Sequence, residues 1–346
     1  MSQAASGSSP QPTEKPPTER ERVAVLGAGA WGTVVAALIA RNGHEVRLWS
    51  HRAELAATIA AESRNPEYAP DLPLPPNLSA TSDLLQAVTG ADLAFIVVPT
   101  PTVRALAERL AGTGFAGALV SCSKGLEVGS LNRISQVVAD PLPRAQFAVL
   151  SGPNLAGEIA AGLPAAATVA SRVPALATRV QRLMQQPTFR LYTSSDVAGV
   201  EAGGALKNVI ALASGISDGL GIGENARASL ITRGLAELVR LGIALGGEAR
   251  TFYGLAGLGD LVATCSSVRS RNHQAGVRLA AGESLEDLQA SGLTAEGIPT
   301  VKAVHDSDVG RSIDLPISRE VYKVLFERKD PRQGIVDLMT RAERAE

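Results

Sequence analysis

Cysteine is nearly absent: the 346-residue chain has two, Cys122 and Cys265, and neither lies in a CxxC or Cys/His spacing. Two thiols cannot build a disulfide framework, and the spacing offers no zinc or other metal site. The expectation is a reducing compartment and no metal. Net charge is also small, −1, with no basic stripe. That argues against nucleic acid or an anionic membrane as the main partner and leaves small molecules. No stretch approaches the roughly 18 consecutive apolar residues that span a bilayer. The first 20 residues, MSQAASGSSPQPTEKPPTER, lack the apolar core of a secretory signal. They read as a disordered tail on a cytoplasmic protein.

What is present is alternation. VAVLG (23–27), EVRLW (45–49), ADLAFIVVP (91–99), GALVSCS (117–123), FAVLSG (147–152), AAATVAS (165–171) and RLYTSS (190–195) read as strands. Several are continuously apolar, as a parallel sheet covered on both faces requires. Helical patterns such as TVVAALIARNG and TVRALAERLAG lie between them, so residues 21–195 are expected to form a doubly wound, mostly parallel α/β sheet. From about Asp196 to 346 the strand signal stops and long Ala/Leu-rich helical patterns follow, implying a second, all-α domain. The proline-rich loop RNPEYAPDLPLPPNL (64–78) reads as a surface excursion.

In VAVLGAGAWG, Gly27, Gly29 and Gly32 form G-x-G-x-x-G directly after a strand and at the start of a helix. In that context the first glycine permits a tight turn and the second admits a pyrophosphate to the backbone. The third lets helix and strand pack closely, while the helix N-terminus offers N–H groups to the anion. This is the dinucleotide fingerprint of a Rossmann fold. An NAD site ordinarily carries a carboxylate at the end of the second strand; here Trp49 is followed by Ser50, His51 and Arg52. Arg52 with Ser50 suits a 2′-phosphate, so NADP(H) is favoured and NAD(H) remains allowed, against the plainer reading of Arg52 as a surface residue.

EAGGALKNVIALASG (201–215) places one lysine, Lys207, and one amide, Asn208, in a small, apolar run. On a helix Leu206, Val209, Ile210, Ala213 and Ile216 share one arc, and Lys207 shares another with Gly203, Gly204, Ala211, Ser214 and Asp218. A solvated lysine on an outer face is the simple reading. Against it, glycines on a solvated helix face cost about 1 kcal/mol each relative to alanine. The small face around Lys207 therefore reads as room left for a ligand. Further polar islands follow. Lys124 in KGLE and Gly152, Pro153 and Asn154 in SGPNLAGE stand at successive strand ends, where open α/β sheets bind ligands. In the helical half, GLAGLGDLVATC brings in Asp260, and SSVRSRNHQAG groups Ser270, Arg271 and Asn272. Arg271 is a planar fork suited to phosphate, unless the segment is merely a solvated basic loop.

GGALKNVIALASGISDGLGIGEN (203–225), with Lys207, Asn208, Asp218, Gly219, Gly223 and Asn225, resembles the signature of the NAD(P)-dependent glycerol-3-phosphate dehydrogenase family. VLGAGAWG, KGLE, SGPNLAGE, GLAGLGDLVATC and SRNHQAG resemble further blocks in the same order, and the bacterial branch is the most similar. The resemblance covers the chain from about Arg22 onward. It implies reversible reduction of dihydroxyacetone phosphate by NAD(P)H to sn-glycerol 3-phosphate, feeding glycerophospholipid synthesis. It makes Lys207 the proton acceptor for alcohol oxidation, with Lys124 and Asp260 completing the catalytic set. Lys124, Gly152, Asn154, Lys207 and Asn208 line one side of the substrate, with Asp260, Ser270, Arg271 and Asn272 opposite. Gly27, Gly29, Ala30, Trp31, Gly32, His51, Arg52, Lys124, Ala156, Arg271, Thr294 and Glu296 lie along the cofactor. Two departures stand out: Ala30 occupies a place where relatives often have a hydroxyl, and Asn154 one where threonine is common. Alternatives are a hydroxyacid or 6-phosphogluconate-type dehydrogenase and, in another class, a non-catalytic NADPH-binding sensor. A homodimer is compatible with the sequence.

Overall fold

The computed structural model describes residues 20–342. The tail expected over 1–20 therefore lies, but for Arg20, outside the described residues.

Eight strands form one sheet: β1 (Arg22–Leu26), β2 (Glu45–Trp49), β3 (Leu78–Thr81), β4 (Leu93–Ile96), β5 (Ala118–Ser121), β6 (Phe147–Ser151), β7 (Ala165–Ser171) and β8 (Phe189–Ser194). Their order is β3-β2-β1-β4-β5-β6-β7-β8. Strands β1 to β6 run parallel, β7 pairs antiparallel with β6, and β8 runs parallel to β7. The continuous apolar runs have a direct cause. Val23 and Val25 of β1 enter one buried cluster and Ala24 and Leu26 the other; Leu93 and Phe95 of β4 divide from Ala94 and Ile96 in the same way. Helices cover both faces, so neither set of alternating side chains meets water.

The sheet has one strand more than the sequence reading. β3 is a four-residue edge strand, LSAT, with no buried residue. An edge strand with one large apolar side chain carries no alternation to detect, and only its register against β2, from Val46↔Leu78 to Trp49↔Thr81, makes it a strand. The loop before it also corrects the reading of a surface excursion. Leu72 and Leu74 are buried in the core, and the side chain of Asn65 is fully enclosed. Asn65 Nδ2 donates to Ala28 O at 2.9 Å and to Thr33 Oγ1 at 2.8 Å, so this loop braces the glycine turn from behind.

Beyond Ser194 the described residues contain no further strand. A central helix, Val197–Gly219, starts where Asp196 accepts a hydrogen bond from Gly199 N. Only Ala213, Asp218 and Gly219 of its 23 residues are not buried. It is wrapped by the helices Glu224–Ala244, Asp260–Ser266, Arg271–Ala280 and Gly297–Asp306. The small face around Lys207 is therefore not room left for a ligand. A Cβ on Gly203 would sit 2.5 Å from Ala256 O, and one on Gly204 would sit 2.5 Å from Ser151 Oγ. The glycines let the helix press against the end of β6 and against the turn before Asp260, and that contact is what brings Lys207 to the sheet.

Candidate active site

The chain crosses the sheet between β1 and β4, so the carboxyl ends of β1, β2, β4, β5 and β6 open on one crevice. At its centre is the glycine turn. Gly27 has φ +125°, a conformation L side chains rarely adopt, and a Cβ there would lie 2.3 Å from Val97 O. A Cβ on Gly32 would lie 1.8 Å from Gly27 O. Gly29 differs: a Cβ there would meet nothing within 4 Å. The helix Ala30–Arg41 begins at Gly29 with no side chain capping it. An uncapped helix start beside the open space over Gly29 fits a pyrophosphate. Ala30 stands at the first helical position. Trp31 turns the other way, packing edge-on against Phe189 at a centroid distance of 6.2 Å.

Next to the turn, Arg52 and His51 follow β2. His51 is exposed, and Arg52 pairs with Glu67 and lies over the Tyr68 ring at 5.8 Å. Ser50 is buried and its Oγ accepts from Arg52 N at 3.2 Å. The arginine expected at a 2′-phosphate is therefore present but engaged by an exposed carboxylate.

The helical half supplies the chemistry. Lys207 is 6% exposed; its Nζ donates to Asp260 Oδ1 at 2.5 Å and to Thr264 Oγ1 at 2.6 Å. Lys124, on the loop after β5, donates to the other oxygen, Asp260 Oδ2, at 2.7 Å and to Gly152 O at 2.8 Å. Asp260 is the first residue of its helix, so Thr264, one turn on, shares its face. One buried carboxylate thus holds two ammonium groups, a net positive charge where water is scarce. Burial pushes the Lys207 pKa down from 10.5 to about 8; the Asp260 carboxylate opposes the shift and Lys124 adds to it. When Lys207 loses its proton, a neutral Lys124–Asp260 pair is left, and so the buried site favours that loss.

Two amides brace this cluster. Asn208 Nδ2 donates to Lys124 O at 3.2 Å, and its Oδ1 accepts from Asn272 Nδ2 at 2.9 Å. Asn272 Oδ1 accepts from Gly297 N at 2.8 Å. Ser270 caps the helix Arg271–Ala280 by accepting from His273 N. Of the residues expected along the substrate here, Ser270 and Asn272 are thus engaged in building the wall, and Arg271 is left exposed with no hydrogen bond or ion pair among the described residues.

Gly152 contributes its carbonyl and Asn154 its amide, whose Nδ2 and Oδ1 are both buried without a partner among the described residues. Ala156 opens the short helix Ala156–Ala160. Glu296 reaches from the helical half to accept from Thr100 N at 3.2 Å, while its Oε2 is buried with no hydrogen-bond partner among the described residues; burial pushes its pKa up. Thr294, two residues earlier, is exposed. Unsatisfied polar atoms at Asn154, Ser151 and Glu296 are groups that a bound molecule can satisfy.

The family models agree with this arrangement in order and extent. Residues 22–177 match the NAD-dependent glycerol-3-phosphate dehydrogenase N-terminus and residues 196–336 the C-terminus of the same family. The chain belongs to the NAD-dependent glycerol-3-phosphate dehydrogenase family. A glycerol-3-phosphate dehydrogenase [NAD(P)+] of Halorhodospira halophila is 48% identical over 328 residues, 94% of this chain and 98% of the relative. Its counterpart in Oceanobacillus iheyensis is 46% identical over 330 residues, 94% and 96% of the two chains. The crystal structure of the Coxiella burnetii glycerol-3-phosphate dehydrogenase superposes with a TM-score of 0.89 at 40% identity, covering 93% of this chain and 99% of that one. This family member is an NAD(P)-dependent oxidoreductase of the dihydroxyacetone phosphate and glycerol 3-phosphate couple.

Sequence reasoning passed over several residues of the site. Thr264 was legible as the i+4 partner of Asp260. Asn65 was not, because nothing local marks a loop amide that folds under a turn 37 residues away. Glu201 was missed too. Buried on the central helix, it accepts from Ser135 N at 2.6 Å and from Arg133 Nη1 at 2.8 Å, pinning the loop that carries Lys124. Glu67, the partner of Arg52, gave no motif signal.

Proposed function

We propose that this dehydrogenase reduces dihydroxyacetone phosphate to sn-glycerol 3-phosphate with Lys207 as the proton donor, and runs the reverse oxidation with Lys207 as base. The observation that carries the assignment is a buried lysine, its pKa lowered to about 8, held on Asp260 between the strand ends and the helical half. At that value both protonation states are accessible near neutrality, as acid–base work requires. Gly29 and the uncapped start of the helix Ala30–Arg41 would hold the pyrophosphate, with Glu296 and Ala156 further along the crevice. When bound, the nicotinamide supplies or takes up the hydride. Lys207 delivers the proton to the developing alkoxide, Asp260 holds the ammonium in place, and Lys124 keeps the local charge positive. Arg271 is the handle on the substrate phosphate, converting remote binding energy into orientation of the carbonyl.

NADPH is the favoured cofactor on this reading, because no carboxylate follows β2 and Arg52 is the cation there. For that role Arg52 exchanges Glu67 for the 2′-phosphate. The product would supply glycerophospholipid synthesis in the cytoplasm. Steady-state turnover of dihydroxyacetone phosphate with NADPH and NADH, run beside a panel of hydroxyacids, tests the assignment. Turnover of a hydroxyacid with none of the phosphorylated ketone would overturn it.

A further inference from the structure

The proposed mechanism leaves one buried carboxylate of the central helix idle. Glu201, 5% exposed, lies less than two turns before Lys207. It accepts from Ser135 N at 2.6 Å and from Ser135 Oγ at 2.6 Å, and it pairs with Arg133 Nη1 at 2.8 Å. The Arg133 side chain is itself only 11% exposed, so taking away either partner strands the other. What Glu201 holds is the returning end of the Lys124 loop. Leu126 bridges antiparallel to Arg133, and Glu127 N donates to Asn132 O, so residues 126–133 fold back as a tight turn just after Lys124. Leu126 and Leu131 pack with Ala202, Ala205 and Leu206 of the central helix, and Asn208 Nδ2 donates to Lys124 O. On the outer side Arg104 grips Glu127 through bonds of 2.7 and 2.9 Å. The loop is docked on the helix that carries Lys207, and Glu201 supplies a charged anchor for it.

We propose that Glu201 is a positioning residue: through Arg133 and Ser135 it fixes the loop that carries Lys124, and so holds the two ammonium groups in place on Asp260. This inference rests on the reading of Lys207 as the acid–base group. Lys124 and Lys207 bond opposite oxygens of one carboxylate, so a shift of the loop moves one cation relative to the other. The apolar contacts of Leu126 and Leu131 are non-directional, whereas the bonds to Glu201 fix where the loop stops. Burial is the main cause of the lowered Lys207 pKa; Lys124 adds to it, and Asp260 and Cys265 oppose it. A slack loop weakens the Lys124 contribution, and the Lys207 pKa then rises.

The test compares wild type with Glu201→Gln, Ser135→Ala and, as a control, Asp196→Asn. Glutamine keeps the shape of the side chain but leaves Arg133 without its counter-charge. Ser135→Ala removes one bond to Glu201 and decides the matter if Glu201→Gln does not fold. Asp196 is the buried carboxylate that caps the same helix, with bonds to Gly199 N, Glu248 N and Thr251 Oγ1. Two quantities are read: trace acetylation of Lys124 by acetic anhydride, measured by mass spectrometry against the exposed Lys302, and the pH midpoint of kcat/KM for glycerol 3-phosphate. In Glu201→Gln, acetylation of Lys124 is expected to rise about fivefold. The midpoint moves up from about 8 by about half a unit to one unit. Ser135→Ala moves both the same way, acetylation by about threefold, while Asp196→Asn lowers Tm and moves neither. Lys124 acetylation within about twofold of wild type would overturn the proposal however far Tm falls, and so would an unmoved midpoint. A wild-type profile with no inflection near 8 would defeat the reading of Lys207 instead. Acetylation needs no turnover, so it still decides whether Glu201 holds the loop.

Discussion

The two walls of the cleft are built on opposite plans. On the sheet side the helix after the glycine turn starts with no side-chain cap and with open space over Gly29. On the helical side every polar atom of the Lys207–Asp260–Thr264 cluster is buried and bonded. A wall of backbone tolerates changes in side chain, which is why Ala30 can stand at the helix start with no side-chain donor of its own. A wall of committed side chains tolerates almost none, since removing one partner strands another in a low dielectric.

Breaking the helical wall should have the largest effect. Lys207→Met is expected to lower kcat by about 10²- to 10⁴-fold, with the circular dichroism of the folded protein retained; near wild-type kcat would remove Lys207 from the chemistry. On the sheet side, two glycines one turn apart should part company. Gly32→Ala places a methyl 1.8 Å from Gly27 O and should cost about 1–3 kcal/mol, read as a fall in Tm. Gly29→Ala meets no protein atom within 4 Å and should leave stability within about 0.5 kcal/mol while raising the cofactor KM. Equal losses of Tm in both would contradict the open cradle.

A pH titration sharpens the contrast. On the proposed mechanism oxidation uses the base form of Lys207, so kcat/KM for glycerol 3-phosphate should climb as pH rises through about 8, while reduction declines above it. Stability follows the same group. The folded pKa of about 8 lies below the ordinary 10.5, so between these values the unfolded chain holds the extra proton. The lysine's contribution to stability therefore grows with pH across that window. Lys207→Met should flatten the corresponding change in Tm. The smallest effect belongs to the half-buried Arg52. Arg52→Ala should shift the NADPH-to-NADH ratio of kcat/KM by roughly two- to tenfold toward NADH, leaving kcat with NADH in place. An unchanged ratio would return Arg52 to its pairing with Glu67.

Much of this was readable along the chain because the signals are local. Continuous apolar runs are what a doubly covered sheet demands, and Gly27, Gly29 and Gly32 follow a strand and open a helix within one stretch of sequence. Lys207 was singled out by its surroundings, but for the wrong reason: the glycines near it admit Ser151 and Ala256, not a ligand. Periodicity reports which face is small and cannot report what fills it. β3 and Asn65 escaped for a related reason. Each owes its role to a partner distant in sequence, a neighbouring strand in one case and the back of the glycine turn in the other.

The order of residues by itself determined the α/β alternation, the nucleotide turn and the inventory of charged groups at the strand ends. These depend on spacing within a few residues, where backbone geometry leaves little choice. Tertiary structure decided which of those groups remain available. It committed Ser270 and Asn272 to the wall, paired Arg52 with Glu67, and left the buried amide of Asn154 without a partner among the described residues. It also set the Lys207 pKa, because burial and the shared carboxylate of Asp260 exist only when three segments far apart in sequence meet.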